Sequence, residues 1–124
     1  MSIHYPFAPM PLPYENTGLL PSFDPDTLYF HHDKIYSFYV NMLNYLVSSY
    51  SQLHSLCLKD LLTSDLHLPV AVENQIQFYA GGIFNHDLYF TGMCSKPTGQ
   101  PAGKLKEAIA AEYGSLDNFK KAFQ

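Results

Sequence analysis

The chain of 124 residues is long enough for one domain with a modest core, and 47% of its residues are hydrophobic. Its formal net charge is −4 and its seven cationic side chains are all Lys. It therefore lacks the bidentate Arg contacts and the basic clusters with which proteins typically bind nucleic acid. Its first residues contain no apolar segment typical of a signal peptide, and no run approaches the roughly 18 apolar residues of a membrane span. We therefore expect neither nucleic acid nor a membrane as a partner.

The two cysteines indicate a reducing compartment. Cys57 and Cys94 are far apart in the sequence and form no C-x-x-C motif. Disulfides are rare in cytosolic proteins, so we expect both thiols to be reduced and buried rather than bridged. The sequence thus predicts a soluble protein of the cytoplasm.

The first predicted elements are an arm and a long helix. Residues 1–22 hold five of the nine prolines, which favours an extended arm over a helix. Asp24 then suits a helix N-cap and Pro25 the first helical position, and the helix is predicted to end near residue 48. At 100° per residue one face collects a set of mostly apolar side chains: Leu28, His31, Ile35, Phe38, Met42 and Leu46.

This wheel assigns different positions to the two adjacent histidines. His31 lies at the centre of the predicted buried face, whereas His32 points well away from it. Tyr39 lies on the edge of the face, two turns beyond His31, from where its hydroxyl can lean toward the same pocket. A single histidine on an apolar face is more often a hydrogen-bonded core residue than a ligand.

A second long helix is predicted from Val70 to about Met93, after a short helix within 55–65. Its inner face also contains a histidine, His86, together with Tyr79, Gly82, Ile83, Phe90 and Met93. The pair Gly81-Gly82 costs about 1 kcal/mol per glycine relative to Ala in a helix, so we expect another group to approach the backbone there, near His86.

The rest of the chain completes an all-α prediction without strands. A loop over 94–103 precedes a helix to about Tyr113, Gly114 as its C-cap, and Ser115 as the cap of a last short helix. Antiparallel packing of the two long helices would bring His31 and His86 face to face, which makes a metal site as plausible as two core histidines. The remaining histidines, His4, His54 and His67, are expected to be exposed or to cap helices.

Three segments of the chain resemble the iron/manganese superoxide dismutases. The segment "LPYENTGLLPSFDPDTLYFHHDKIYSFYVNMLN" is similar to the family pattern L-P-Y, a D-x-x-T helix start, then H-H-x-K-H-x-x-x-Y-V-x-x-x-N. "AGGIFNHDLYF" resembles the family's second-helix motif A-G-G-x-x-N-H, followed by an aromatic pair, and "KPTGQPAGKLKEAIAAEYGSLDNFKKAF" is similar to the segment after it. The match runs in order from about Pro11 to Phe123.

The resemblance implies a long antiparallel helical hairpin over 23–94, preceded by the arm 1–22 and followed at 95–124 by the start of an incomplete α/β second domain. It implies superoxide as the substrate, Mn or Fe as the redox metal, and a homodimer. His31 and His86 match the first two metal ligands, and Tyr39 matches a tyrosine of the substrate funnel, with a catalytic role. The residues that it places around the ligands are His32, Lys34, Gly82, Asn85 and Phe90.

The chain departs from the family pattern in three places. No segment matches the D-x-W-E-H motif that supplies the remaining Asp and His ligands, and the sequence has no Trp. Ile35 stands at the family's gateway histidine and cannot relay a proton, while Phe90 stands where the family often has Trp. With two of four ligands, a chain that ended at Gln124 is expected to show little or no dismutase turnover.

Two other functions stay open at this stage. One is a non-enzymatic hairpin that binds another chain through its ligand-bearing face, and the other is a metal site to which two copies each donate His31 and His86. The choice of metal depends on Gly82, since the iron branch of the family often has Gln there and the manganese branch takes its glutamine from the second domain. The sequence therefore favours manganese over iron.

Overall fold

The computed structural model describes residues 4–96 and 99–124, so the start of the arm (1–3) and part of the predicted loop (97–98) lie outside the described residues. Over the described ranges the chain is helical and contains no strand, which confirms the all-α prediction. The elements are α1 (Pro25–Tyr29), a π-helical segment (Phe30–Tyr36), α2 (Ser37–Ser48), a 3-10 turn (Ser51–Leu53), α3 (Leu58–Thr63), α4 (Val70–Thr91), α5 (Gly103–Tyr113) and α6 (Leu116–Phe123).

The first long helix consists of α1, the π-helical segment and α2 in continuous succession. It begins as the sequence predicts, because the Asp24 carboxylate accepts a hydrogen bond from the Thr27 N–H at 2.9 Å and Pro25 occupies the first turn. It ends at Ser48, close to the predicted residue. The two long helices therefore have the predicted bounds within two residues.

The buried face of the first long helix differs from the prediction. Its buried side chains beyond Leu28 are Tyr36, Val40, Leu43 and Val47. Two members of the predicted face, Ile35 and Phe38, are instead 51% and 53% exposed. A π turn closes its hydrogen bonds from residue i to i+5 and so holds about one residue more than an α turn. A helical wheel drawn at 100° per residue through such a segment assigns side chains to the wrong face, which is why the prediction was wrong for Ile35 and Phe38.

The two long helices pack as an antiparallel hairpin. His31, near the start of the first long helix, contacts His86 and Phe90 late in α4, while Tyr39, further along, contacts Tyr79. Contacts that run in opposite directions along two helices define antiparallel packing, so the predicted hairpin is confirmed. The short helix α3 packs against α4 and buries Leu61 in the same core.

The arm is an integral part of this hairpin. Residues 4–22 form no helix, as predicted, but residues 16–22 form turns where an extended arm was expected. The arm also buries Phe7, Met10 and Leu19 in the core. The Asn44 side chain in α2 accepts from the Phe7 N–H and donates to the Phe7 carbonyl, both at 2.8 Å. Further along the arm, the Tyr14 hydroxyl donates to the Phe90 carbonyl at 3.1 Å. The arm therefore bridges α2 and the end of α4.

The helices α5 and α6 pack on each other through a tight corner. Gly114 ends α5 with a φ of +73°, a left-handed conformation that glycine adopts without a steric penalty, and the Ser115 hydroxyl caps α6 by accepting from Asn118 N–H. Both caps were predicted from the sequence. Within the described range 99–124 only Ile109 is buried. None of the described helices has the combination of length and apolarity that crossing a bilayer requires.

The two thiols agree with the prediction in part. Cys57 and Cys94 are both free, as expected. Cys57 is partly buried, next to the start of α3, but Cys94 is exposed, so the expectation that both are buried was wrong. The reason is local, because Cys94 lies beyond the last turn of α4, where the chain has left the hairpin core.

Candidate metal site

The structure brings His31 and His86 together across the hairpin. Their ring centroids lie 5.1 Å apart and their planes are inclined by 78°. A bond of about 2.1 Å from a metal ion to an imidazole nitrogen places the ring centroid about 3.3 Å from the ion. Two rings bound to one ion at an angle of about 100° would then have this separation, so the distance fits a shared cation.

A backbone carbonyl orients the His86 ring. Its Nδ1 lies 2.6 Å from the Gly82 carbonyl oxygen one turn earlier in α4, and since a carbonyl only accepts, Nδ1–H is the donor. This hydrogen bond leaves the lone pair of a neutral ring on Nε2. Metal-binding histidines are commonly held in this way by an acceptor on the opposite nitrogen.

His31 lies in an aromatic environment that favours its neutral form. Its ring centroid is 5.1 Å from that of Tyr89 and 5.1 Å from that of Phe90. Burial lowers the pKa of His31 below its ordinary value, and the nearby His86 and His32 rings lower it further because their protonated forms would repel a second positive charge. No residue that the structure describes forms a hydrogen bond with this ring. A neutral imidazole with a free lone pair is the form that binds a metal.

Tyr39 lies beside the second histidine, and Gly82 makes room for it. The Tyr39 ring centroid is 5.3 Å from that of His86. A Cβ atom on Gly82 would overlap the Tyr39 ring, whereas one on Gly81 would meet only Leu62 at an ordinary 3.8 Å. The predicted close approach at the glycine pair is therefore confirmed for Gly82, with Tyr39 as the approaching group.

His32 is not where the helical wheel placed it. Its side chain is only 12% exposed, and its Nε2–H donates to the Met10 carbonyl of the arm at 2.8 Å. Its ring also contacts the Phe90 ring at 5.3 Å. The prediction that His32 points well away from the buried face was wrong, because it depended on the same uninterrupted α-helical phase.

The other predicted site residues divide into two groups. Phe90 is fully buried and contacts both candidate ligands. Lys34 is exposed, and its ammonium group lies 5.2 Å above the Tyr29 ring, where the Tyr29 hydroxyl raises the pKa of Lys34. Asn85 is exposed, and its side chain forms no hydrogen bond with the described part of the chain. The structure therefore places Phe90 in contact with the histidine pair, whereas Lys34 and Asn85 lie away from it.

The three remaining histidines lie away from the pair. His4 and His67 are exposed, as expected. The His54 ring stacks on Tyr5, and its Nε2–H donates to the Val47 carbonyl in the last turn of α2 at 3.2 Å. This bond gives a carbonyl at a helix end a second donor beside the Tyr50 N–H, which agrees with the predicted capping role.

One pair of polar residues beside the site, Tyr36 and Asp87, was not predicted from the sequence. The Tyr36 hydroxyl donates to the Asp87 carboxylate at 2.5 Å, and the Tyr36 ring stacks on His86 with centroids 5.4 Å apart. Burial raises the pKa of Tyr36 and then the Asp87 hydrogen bond raises it further, while burial raises the pKa of Asp87 despite that bond. Asp87 could have been noticed as a carboxylate next to His86, but the position of Tyr36 depends on the π-helical segment.

The donor set at this site is incomplete. Among the described residues no group of three or more His, Cys, Asp or Glu side chains is placed to hold a metal ion. Two imidazoles leave most of the coordination sphere to water or to other donors, so binding by the pair alone is expected to be weak and readily exchangeable. The described residues thus offer two of the four donors that the family resemblance implies.

Comparison with known proteins agrees with this geometry. Residues 6–94 match the family described as iron/manganese superoxide dismutases, alpha-hairpin domain. The chain is 37% identical over 113 residues to a manganese superoxide dismutase of Escherichia coli (strain K12), an alignment that covers 91% of the chain and 54% of that protein. It is 34% identical over 112 residues to a manganese superoxide dismutase of Listeria ivanovii, covering 90% of the chain and 55% of that protein.

A third relative shows the same partial coverage. Manganese superoxide dismutase 1 of Leptolyngbya boryana is 34% identical over 113 residues, which are 91% of the chain and 46% of that protein. The chain therefore spans about half the length of the curated relatives it matches. The matched hairpin contains both histidines of the pair, and the chain belongs to the iron/manganese superoxide dismutase family.

Proposed function

We propose that this chain is the hairpin part of a superoxide dismutase and that His31 and His86 are two of the ligands of its manganese or iron. The observation that carries the proposal is the 5.1 Å separation of the two rings, with His86 held by the Gly82 carbonyl so that Nε2 is free. The bound metal would supply the alternation between the 2+ and 3+ states that oxidises one superoxide and reduces another.

The chain's own residues would control access to that metal. Tyr39 lies against His86, where its hydroxyl would interact with a substrate or solvent molecule entering the site. Ile35 occupies the position of the family's gateway histidine and is exposed. Its side chain is apolar, so it offers no group that can relay a proton to this tyrosine. His32 and Phe90 would support the ligands by packing beside them. Lys34 and Asn85 are exposed and would influence the site without contacting the histidine pair.

Manganese is the metal that we propose first. The relatives described above are named manganese enzymes, and Gly82 has no side chain with which to reach the site. The Tyr39 ring fills the space where a Gln at this position would place its Cβ, so the iron-type residue would not fit without a shift of the ring.

The proposed function also implies a domain organisation, an assembly and a location for this chain. We propose the division into an arm (1–22), a hairpin domain (23–94) and the start of a second domain (95–124). A homodimer is the proposed assembly, with superoxide as the small-molecule substrate. The cytoplasm is the proposed location, and the two free thiols agree with a reducing compartment.

Binding of Mn²⁺ by the full chain tests the ligand assignment. The electron paramagnetic resonance signal of aqueous Mn²⁺ should decrease on addition of the protein, and His31→Ala and His86→Ala should each abolish the decrease. His67→Ala is the matched control, since His67 is exposed and remote from the pair. Binding that survives both substitutions at the pair would contradict the proposal. In a cytochrome c assay we expect the manganese-loaded polypeptide 1–124 to show little turnover, because no third His, Cys, Asp or Glu of the described residues joins the pair.

A second candidate function is a binding module that associates through its ligand-bearing face. The observation that favours it is a set of large apolar side chains left exposed near the pair: Phe30, Ile35, Phe38, Leu88 and Tyr89. Size-exclusion chromatography in the presence of a chelator and in the presence of Mn²⁺ distinguishes such a module from a metal site that two copies share. A pure binding module would oligomerise equally in both, whereas a metal site shared by two copies would form a dimer only with Mn²⁺.

A further inference from the structure

The backbone of Met10 in the arm is bonded on both sides to the π-helical segment. Its N–H donates to the Tyr36 hydroxyl oxygen at 2.9 Å, and its carbonyl accepts from His32 Nε2–H at 2.8 Å. Met10 itself is buried, so these bonds are made away from bulk water, where each is stronger than at the surface. One residue of the arm thus fixes two side chains of the first long helix.

Both of these side chains are in contact with the histidine pair or its immediate support. The Tyr36 ring lies nearly parallel to the His86 ring, with 19° between their planes and 5.4 Å between their centroids. The His32 ring rests against Phe90, the aromatic residue that also contacts His31 and His86. A displacement of Met10 would therefore reach the site through Tyr36 and through Phe90.

The second long helix, α4, holds Tyr36 from the side opposite the arm. The Tyr36 hydroxyl, having accepted from Met10, donates to the carboxylate of Asp87, the residue after His86 in α4. Tyr36 is fully buried, and its hydroxyl has the Met10 N–H as donor and the Asp87 carboxylate as acceptor. The hydroxyl is held between the arm and α4, and its ring is held against the His86 imidazole as a consequence.

We propose that Met10, Tyr36 and Asp87 form a positioning relay that fixes the plane of the His86 imidazole before a metal binds. The Gly82 carbonyl already fixes which nitrogen carries the proton, but one hydrogen bond leaves the ring free to tilt about it. The Tyr36 face restricts that tilt. The inference rests on the proposed function, in which His86 is a ligand, and it extends that function by assigning a role to Tyr36 and Asp87, which the sequence motifs leave undefined.

The experiment measures Mn²⁺ affinity in variants of the full chain. Tyr36→Phe keeps the stacked ring and removes the hydroxyl, and it should weaken binding about tenfold, the lower end of the effect of residues that orient metal ligands. Asp87→Ala should weaken binding similarly. Asp87→Asn should restore affinity to within about twofold, because an amide oxygen still accepts from the Tyr36 hydroxyl.

A matched control separates positioning from loosening of the arm. Asn44 makes two hydrogen bonds to Phe7, also in the arm, but none to the histidine pair or to Tyr36. Asn44→Ser should lower the thermal stability and leave the Mn²⁺ affinity of the folded protein unchanged. In addition, the nitrogen-15 resonances of the His86 ring, recorded without metal, should shift or broaden in Tyr36→Phe but not in Asn44→Ser.

The outcomes decide the inference and the proposed function separately. An affinity in Tyr36→Phe within about twofold of the parent, or an equal loss in Asn44→Ser, overturns the relay while His86→Ala still tests the ligand. Full Mn²⁺ binding by His86→Ala overturns the proposed function and the relay with it. If Tyr36→Phe does not fold, Asp87→Ala and Asp87→Asn give the same comparison, since they change only the acceptor.

Discussion

The π-helical segment and α2 are consecutive parts of one helix, but they bury different proportions of their side chains. In α2 the buried residues Val40, Leu43 and Val47 follow the three-and-four spacing of a regular amphipathic helix. In the π-helical segment only Tyr36 is buried, and the other positions include the histidines and exposed side chains such as Ile35. The difference shows that apolar spacing identifies a core face within a regular helix but does not carry its phase through a π-helical segment.

The largest expected effect comes from a pair of substitutions that tests which face of α2 packs in the core. Leu43→Ala should destabilise the fold by about 3 kcal/mol, because it removes buried methyl groups and leaves a cavity. Phe38→Ala, a change at a residue that the uninterrupted wheel placed in the core, should cost less than about 1 kcal/mol. Urea unfolding followed by circular dichroism measures both. A cost for Phe38→Ala that equals or exceeds that for Leu43→Ala would contradict the buried face described for α2.

A smaller effect is expected from the two adjacent glycines of α4, which differ in what faces them. Gly82→Ala should destabilise the fold by about 1–2 kcal/mol, because overlap of the new methyl group with the Tyr39 ring exceeds the gain in helix propensity. Gly81→Ala, in contrast, should stabilise it by up to about 1 kcal/mol, since only Leu62 is near at an ordinary distance. Thermal unfolding of the two variants should thus give shifts of opposite sign, and shifts of the same sign would contradict the packing at Gly82.

The smallest effect concerns the start of the helix, upstream of the π-helical segment. The hydrogen bonds from the Thr27 hydroxyl and N–H lower the pKa of Asp24, so its cap stabilises the protein above the carboxyl's unfolded-state pKa. That contribution is lost as the pH falls through the unfolded-state pKa toward the lower folded-state pKa. Asp24→Asn keeps a capping side chain without this titration. The melting temperature of the parent should therefore fall slightly more than that of the variant between about pH 6 and about pH 3. Parallel curves would contradict the assignment.

Much of the fold could be predicted because its signals are local. The cap at Asp24, the left-handed Gly114 and the cap at Ser115 each depend on a few neighbouring residues, and all three were correct. The antiparallel hairpin followed from two long helical patterns joined by the connection at 49–69. The close approach at Gly82 was also predictable, since an isolated glycine pair in a helix needs a packing reason.

The candidate site was predicted in part, because its remaining features depend on tertiary structure. His31 and His86 could be paired from the two helical patterns and from the family motifs. The burial of His32 could not, because it results from the π-helical segment and from the Met10 carbonyl of an arm whose path no local signal defines. Tyr36 was missed for the same reason, since a wheel without the π-helical segment turns it away from α4.

The extra residue in the turns between Phe30 and Tyr36 changes the direction in which side chains leave one continuous helix. The same helix can thus pack apolar side chains in its downstream half and place histidines in its upstream half. The downstream half packs its apolar side chains against α4, and the upstream half turns His31 and His32 toward the last turns of α4. Deleting a single amino acid inside the π-helical segment would therefore redirect the imidazoles while leaving the composition of the hydrophobic interior intact.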